Sequence, residues 1–241
     1  MRSILTIAKR EFAVFFDSLI GYVLLVAFLG ISGFFTWLYG NTIFIMNQAN
    51  LQVFFAVAYW TLFFFIPAIT MRTLAEEMKT GTIELLLTKA VSENQLILGK
   101  YLSCMMLIAV ALVATLPYYF TIEMLGDADK GAVFGGYIGL FLLSSAYVAI
   151  GIFASSLTNN QIVAFLISLF VGLFFHLLFE IISANFTGNL GKILNYFSAS
   201  QHFESLGRGV IDSRDIVFFV SLTALGLYLA QWSVMKRIRF S

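Results

Sequence analysis

The sequence predicts an all-α fold: a polytopic membrane bundle of six transmembrane helices, with an N-terminal interfacial helix and a short cytoplasmic helix between two spans. Hydrophobic residues make up 60% of the 241 residues and charged residues only 11%, whereas charged residues are about a quarter of an average soluble domain. Mean hydropathy is +0.93. Several apolar runs approach the roughly 20 residues that a helix needs to cross about 30 Å of hydrocarbon.

Residues 1–17 are the first predicted element, an amphipathic helix that lies in the membrane interface. Its apolar residues recur at helical spacing, namely Ile4, Ala8, Phe12 and Phe15. Lys9, Arg10 and Glu11 interrupt this pattern before a signal-peptide core forms, and no small-residue cleavage site follows. The sequence therefore predicts no cleavable signal peptide.

Six spans follow, and the whole chain, 1–241, is predicted to be one transmembrane domain without internal repeats. Their approximate bounds are 18–39, 52–71, 94–120, 134–157, 161–183 and 215–235. Ten basic residues lie on one side of these spans: Arg2, Lys9, Arg10, Arg72, Lys79, Lys89, Lys100, Lys236, Arg237 and Arg239. Four lie on the other: Lys130, Lys192, Arg208 and Arg214. The positive-inside rule therefore predicts that both termini are cytoplasmic and that 184–214 is an outer segment.

Composition also excludes several kinds of site. A net charge of +1 gives no reason to expect nucleic-acid binding. The single cysteine, Cys104, lies in an apolar stretch and can form neither an internal disulfide nor a cysteine metal site. His202, Asp212 and Asp215 are too scattered to predict a metal site.

The segment 72–92 is the most unusual part of the chain. Seven charged residues lie between positions 72 and 93, and burying them all in lipid would cost on the order of 20 kcal/mol. The segment must leave the membrane, and the charge bias predicts that it is cytoplasmic. Leu74, Met78 and Leu85 form a helical apolar stripe, and a break near Gly81 is expected, with a second short helix from Thr82. Such a segment either covers the end of its own bundle or docks onto a partner.

Four stretches in and around this segment, 67–72, 75–77, 81–88 and 98–100, resemble the hallmark of ABC-2 type transporter permeases. The N-terminal helix, the six spans and the outer stretch 196–215 also resemble members of this family, including gliding-motility-associated permeases. The chain departs from the pattern at Ala90, where many relatives carry proline. This departure leaves the turn into the third span less fixed.

The resemblance implies that 72–92 is a coupling helix that inserts into a separate ABC ATPase. The coupling residues that it implies are Leu74, Glu76, Glu77, Met78, Gly81, Thr82, Ile83, Glu84, Leu85 and Leu86. It further implies a dimer with an identical or related permease in the bacterial inner membrane, with ATP and magnesium bound by the partner ATPase. Consistently, neither Gly-Lys pair of the chain, at 99–100 and 191–192, has the upstream glycine or the following Ser/Thr of a P-loop.

The sequence leaves open two alternative functions and the role of one pair of ionisable residues. Gly30, Ser32 and Gly33 match the nucleophile pattern of an intramembrane serine protease, with His176 as the base. A non-transporting membrane scaffold is the other alternative. His176 and Glu180 share a helix face and either line a substrate path or serve only in packing.

Overall fold

The structure is a computed structural model that describes residues 2–39, 49–82, 92–186 and 188–240. These residues are mostly helical, and no strand occurs among them. Two five-residue π-helical turns, Phe34–Leu38 and Phe174–Leu178, directly follow α2 and α8. In chain order the α-helices are α1 (Arg2–Asp17), α2 (Leu19–Gly33), α3 (Gln52–Thr70), α4 (Ala75–Thr80), α5 (Glu93–Ala114), α6 (Leu116–Leu125), α7 (Lys130–Leu157), α8 (Gln161–Leu173), α9 (Phe179–Ala184), α10 (Asn189–Tyr196), α11 (Ala199–Gly207) and α12 (Ser213–Phe240).

The predicted fold class is confirmed. Within the described residues, six helical stretches are long and apolar enough to cross a membrane: Leu19–Leu38, Gln52–Thr80, Glu93–Leu125, Lys130–Leu157, Gln161–Ala184 and Ser213–Arg237. Each of them overlaps one of the six predicted spans. The second and third stretches run beyond the predicted ranges, because short helices continue α3 and α5.

Helix α7 is the centre of the bundle. In its most apolar window 72% of the residues are buried inside the protein, against 22% for the stretch that begins with α2. Small residues allow its neighbours to come close: a Cβ atom on Gly151 would meet Thr70 of α3, and one on Gly135 would meet the backbone of Leu206 in α11. Close approach of helices at small residues is the usual way in which membrane helices pack.

A methyl group at Gly135 is therefore expected to destabilise the protein. Gly135→Ala would place Cβ against the Leu206 carbonyl oxygen, and overpacking of this kind costs about 1–3 kcal/mol. Gly30→Ala is the matched control, because nothing lies within 4 Å of a Cβ atom there. Thermal unfolding of the detergent-solubilised variants measures the difference, and equal midpoints would contradict this view of the α7–α11 contact.

The two ends of the bundle carry different structures. At one end, which we call the Lys100 end, α1 packs along the start of α5, where Ile7 lies against Gly99. The residues that link α3 to α4 lie at this end. We call the other end the His202 end. In chain order α10 and α11 follow α9 and precede α12, so the segment 184–214 consists largely of short helices.

A histidine fixes α11 to the start of α12. The Nδ1 atom of His202 lies 2.7 Å from Oδ1 of Asp215, and its Nε2 lies 2.9 Å from the carbonyl oxygen of Tyr196. The imidazole also stacks on Phe218, with the ring centroids 4.1 Å apart. Asp212 accepts a hydrogen bond from the backbone N–H of Arg214 at the beginning of α12. These side chains therefore hold the helices at this end together.

Candidate functional site

The described part of the segment 72–92 is a turn followed by one short helix. Residues 71–74 form turns after α3, and α4 ends at Gly81 in the left-handed conformation with φ of 71°. A glycine in this conformation commonly ends a helix because it has no Cβ atom to clash. The break that the sequence predicts near Gly81 is thus present. Ile83, Glu84, Leu85 and Leu86 lie outside the described residues, as does Ala90.

The start of α4 is tied to the central helix by one hydroxyl group. The Oγ atom of Ser155 in α7 accepts hydrogen bonds from the backbone N–H groups of Leu74 and Ala75, each at 3.0 Å. The same hydroxyl donates to the carbonyl oxygen of Met71 at 3.0 Å. All three bonds fall in the connection between α3 and α4. Ser155 therefore fixes the position and direction of α4 relative to the bundle.

The apolar stripe of α4 points into its own protein. Leu74 is fully buried and Met78 is 9% exposed, and Nη1 of Arg237 from α12 lies 3.2 Å from the Met78 sulfur. Of the two uses considered from sequence, these two residues serve the first, covering the end of the bundle.

A buried lysine joins three elements at this end. Lys100 in α5 is 1% exposed; its Nζ atom lies 2.7 Å from Oε1 of Glu77 in α4 and 3.3 Å from Oε2 of Glu11 in α1. Arg10 pairs with the other oxygen of Glu11 at 2.9 Å. A charge this deeply buried is tolerated because it is paired. We call these three residues, Lys100, Glu77 and Glu11, the Lys100 cluster.

Opposing effects act on the carboxyl group of Glu11. Burial alone would raise its pKa, but Lys100 and Arg10 outweigh that effect and hold the pKa of Glu11 below its ordinary value. The carboxylate is therefore ionised at neutral pH. The cluster thus contains a true ion pair between α1 and α5, and α1 is fixed to the bundle by charge as well as by packing.

The other predicted coupling residues that the structure describes face solvent. Glu76, Gly81 and Thr82 are exposed, and the hydroxyl groups of Thr80 and Thr82 are 2.9 Å apart. Neither Ser155 nor the pairing of Lys100 emerged from sequence reasoning. A serine in an apolar helix is typical of helix packing, and the sequence identifies Lys100 only as a basic residue near the end of a span.

A second site lies near the His202 end, where His176 and Glu180 both line a cavity of about 550 Å³. The His176 ring stacks between Tyr59 and Phe63, with centroids 3.9 and 4.3 Å away. Its Nδ1 atom lies 2.9 Å from the hydroxyl oxygen of Tyr147. The structure thus brings the two predicted substrate-path residues to one cavity.

The two residues of the protease alternative have other partners in the structure. The hydroxyl of Ser32 donates to the carbonyl oxygen of Leu29 in its own helix at 3.3 Å. Aromatic rings of α3 and α7 surround His176. Among the described residues no hydrogen bond joins Ser32 to His176.

The comparison with known families agrees with the fold. A family model described as ABC-2 family transporter protein matches residues 5–235, nearly the whole chain. No curated protein matches the sequence. The matched range includes the Lys100 cluster, Ser155 and the residues that line the cavity. From the match and from the six apolar helices among its described residues, the chain is a membrane protein that belongs to the ABC-2 transporter family.

Proposed function

We propose that this chain is the permease subunit of an ATP-driven exporter, and that the segment 72–92 is where a separate ABC ATPase docks. The observation that carries the proposal is the attachment of α4, which leaves the bundle yet is tied to it by Ser155 and by the Lys100 cluster. A force applied to α4 therefore reaches α7 and α5 directly. ATP and magnesium belong on the ATPase, because the chain lacks a P-loop.

The orientation follows from the same proposal. If the ATPase docks at the Lys100 end, that end is cytoplasmic, in agreement with the ten basic residues predicted to lie on that side. The cavity near the His202 end then opens toward the outer half of the bilayer. Two permeases and two ATPases would form the complete exporter in the bacterial inner membrane. The resemblance of the chain to gliding-motility-associated permeases extends the proposal to a gliding-motility or secretion apparatus.

Leu85→Asp tests the docking proposal. The wild-type chain, purified with a tag from its native membranes, is expected to bring with it a P-loop ATPase that mass spectrometry identifies. The variant places a charge in the predicted apolar stripe and is expected to reduce recovery of that ATPase at least tenfold, about 1.4 kcal/mol. Leu190→Asp introduces the same change at an exposed position of α10 and should leave recovery unchanged.

Two results would count against this proposal. Recovery of the same amount of ATPase with Leu85→Asp as with the wild type would show that Leu85 is not part of the surface that binds it. A scaffold that does not transport predicts that an ATPase unable to hydrolyse ATP still supports the function of the chain. The exporter predicts that function is lost with such an ATPase.

A further inference from the structure

We infer that the cavity near the His202 end binds an amphipathic organic cation, which would be the substrate class of the exporter. In that role the inference rests on the proposed function. Binding to the cavity itself does not depend on an ATPase and is measurable on the permease alone. Three independent features of the cavity lead to this class of ligand: its aromatic walls, its charge and a buried nitrogen atom.

Several aromatic side chains line the cavity. Tyr59 and Trp60 of α3 and Phe203 of α11 line it, and the rings of Tyr59 and Phe203 stack with centroids 5.0 Å apart. Trp60 is 44% exposed in this chain, so its indole ring is available to a ligand. Aromatic faces carry partial negative charge and attract cations, tryptophan most strongly. The same faces provide apolar contact for the body of an amphipathic molecule.

Acidic residues outnumber basic ones among the residues that line the cavity, with Glu180 and Glu204 against Arg208. Glu204 and Arg208 both line it, and their charges offset each other across 3.8 Å in an exposed pair. Glu180 is half-buried, and among the described residues no lysine, arginine or histidine forms an ion pair with it. A carboxylate next to aromatic faces favours a cation and disfavours an anion of the same shape.

A buried ring nitrogen has unused hydrogen-bonding capacity in the wall. His176 is 1% exposed, and its Nε2 atom has no hydrogen-bond partner among the described residues. A buried polar atom without a partner is unfavourable, and a hydrogen bond with a polar group of a ligand would satisfy it. The three features together describe a site for a molecule that has an apolar body, a positive charge and a polar group.

Two ions of similar shape and opposite charge provide the test. The permease alone, in nanodiscs of phosphatidylcholine, is titrated with tetraphenylphosphonium and separately with tetraphenylborate by equilibrium dialysis, with empty nanodiscs subtracted. We expect saturable binding of the cation and none of the anion. Glu180→Gln is expected to weaken binding of the cation at least tenfold. Glu123→Gln, which changes a carboxylate outside the cavity that pairs with Lys130, should leave it unchanged.

Each result has a definite meaning. Absence of saturable cation binding, equal binding of the two ions, or equal affinity of Glu180→Gln and the wild type would overturn the inference. The comparison of the two ions needs only the wild-type protein, so it remains decisive if Glu180→Gln fails to fold. If no ATPase is recovered with the wild-type chain from native membranes, the proposed function is overturned, but the measured cation binding still stands. Failure of the proposed function and failure of the inferred cation binding are therefore distinguishable.

Discussion

Lys100→Met is expected to lower the free energy of unfolding by about 3–5 kcal/mol, because removal of one partner of a buried ion pair leaves the other uncompensated. Methionine replaces the side chain with an apolar group of similar length but cannot neutralise Glu77. Glu11 keeps Arg10 as a partner, so Glu77 carries most of the penalty. Chemical unfolding of the protein in detergent micelles measures this difference.

A double substitution separates charge from shape. Lys100→Met combined with Glu77→Gln removes both charges of that pair, and replacement of a buried pair by neutral residues is often nearly neutral. We therefore expect the double variant to recover most of the lost stability. Lys130→Met is the control, since Lys130 pairs with Glu123 in an exposed ion pair of the kind that contributes about 0–1 kcal/mol. Equal losses for Lys100→Met and Lys130→Met would contradict the buried role of Lys100.

Ser155→Ala is expected to release the start of α4 from the central helix. The substitution leaves the backbone N–H groups of Leu74 and Ala75 without their acceptor, at a cost of about 1–3 kcal/mol for each buried group. Local opening of the segment 71–80 should therefore become more frequent. Hydrogen–deuterium exchange should show at least about tenfold faster exchange of these amides in the variant, since about 1.4 kcal/mol corresponds to a factor of ten.

Ser144→Ala is the matched control for this experiment. Ser144 is also fully buried in α7, but its hydroxyl donates only within its own helix, to the carbonyl oxygen of Leu140. Its removal should leave exchange in 71–80 unchanged. If both variants exchange like the wild type, Ser155 does not determine the position of α4. If the amides of 71–80 exchange faster in both variants, the cause is a general disturbance of α7 and not the loss of the Ser155 hydrogen bonds.

Hydropathy and spacing predicted the six apolar helices and the break at Gly81. Both features depend only on residues that are close in sequence: a span needs enough consecutive apolar residues to cross the membrane, and a helix end needs a residue that tolerates the left-handed conformation. The Lys100 cluster could not be predicted in this way. Glu11 and Lys100 are 89 positions apart in the chain, and only the packing of α1 on α5 brings them together. The same sequence position that suggests a solvated basic residue at the end of a span is, in the fold, almost completely buried.

The cavity shows a different limit of sequence reasoning. The spacing of His176 and Glu180 predicted that they share a face, but not which residues surround them. The π-helical turn at Phe174–Leu178 changes the local register, and a periodic pattern does not reveal such a turn. Ser200, Phe203 and Glu204 come from α11, which sequence alone described only as part of an outer segment. The charge and shape of the site therefore appeared only with the fold.

The order in which the Lys100 cluster is synthesised has a consequence for biogenesis. Glu11 and Glu77 leave the ribosome before Lys100, so both carboxylates are already present when the third span inserts. When that span inserts, its lysine can be neutralised at once by elements that are already in place. In a chain that lacks residues 1–11, only the carboxylate of Glu77 would be present to pair with Lys100. We therefore expect α1 to act during assembly of the bundle, before any partner protein arrives.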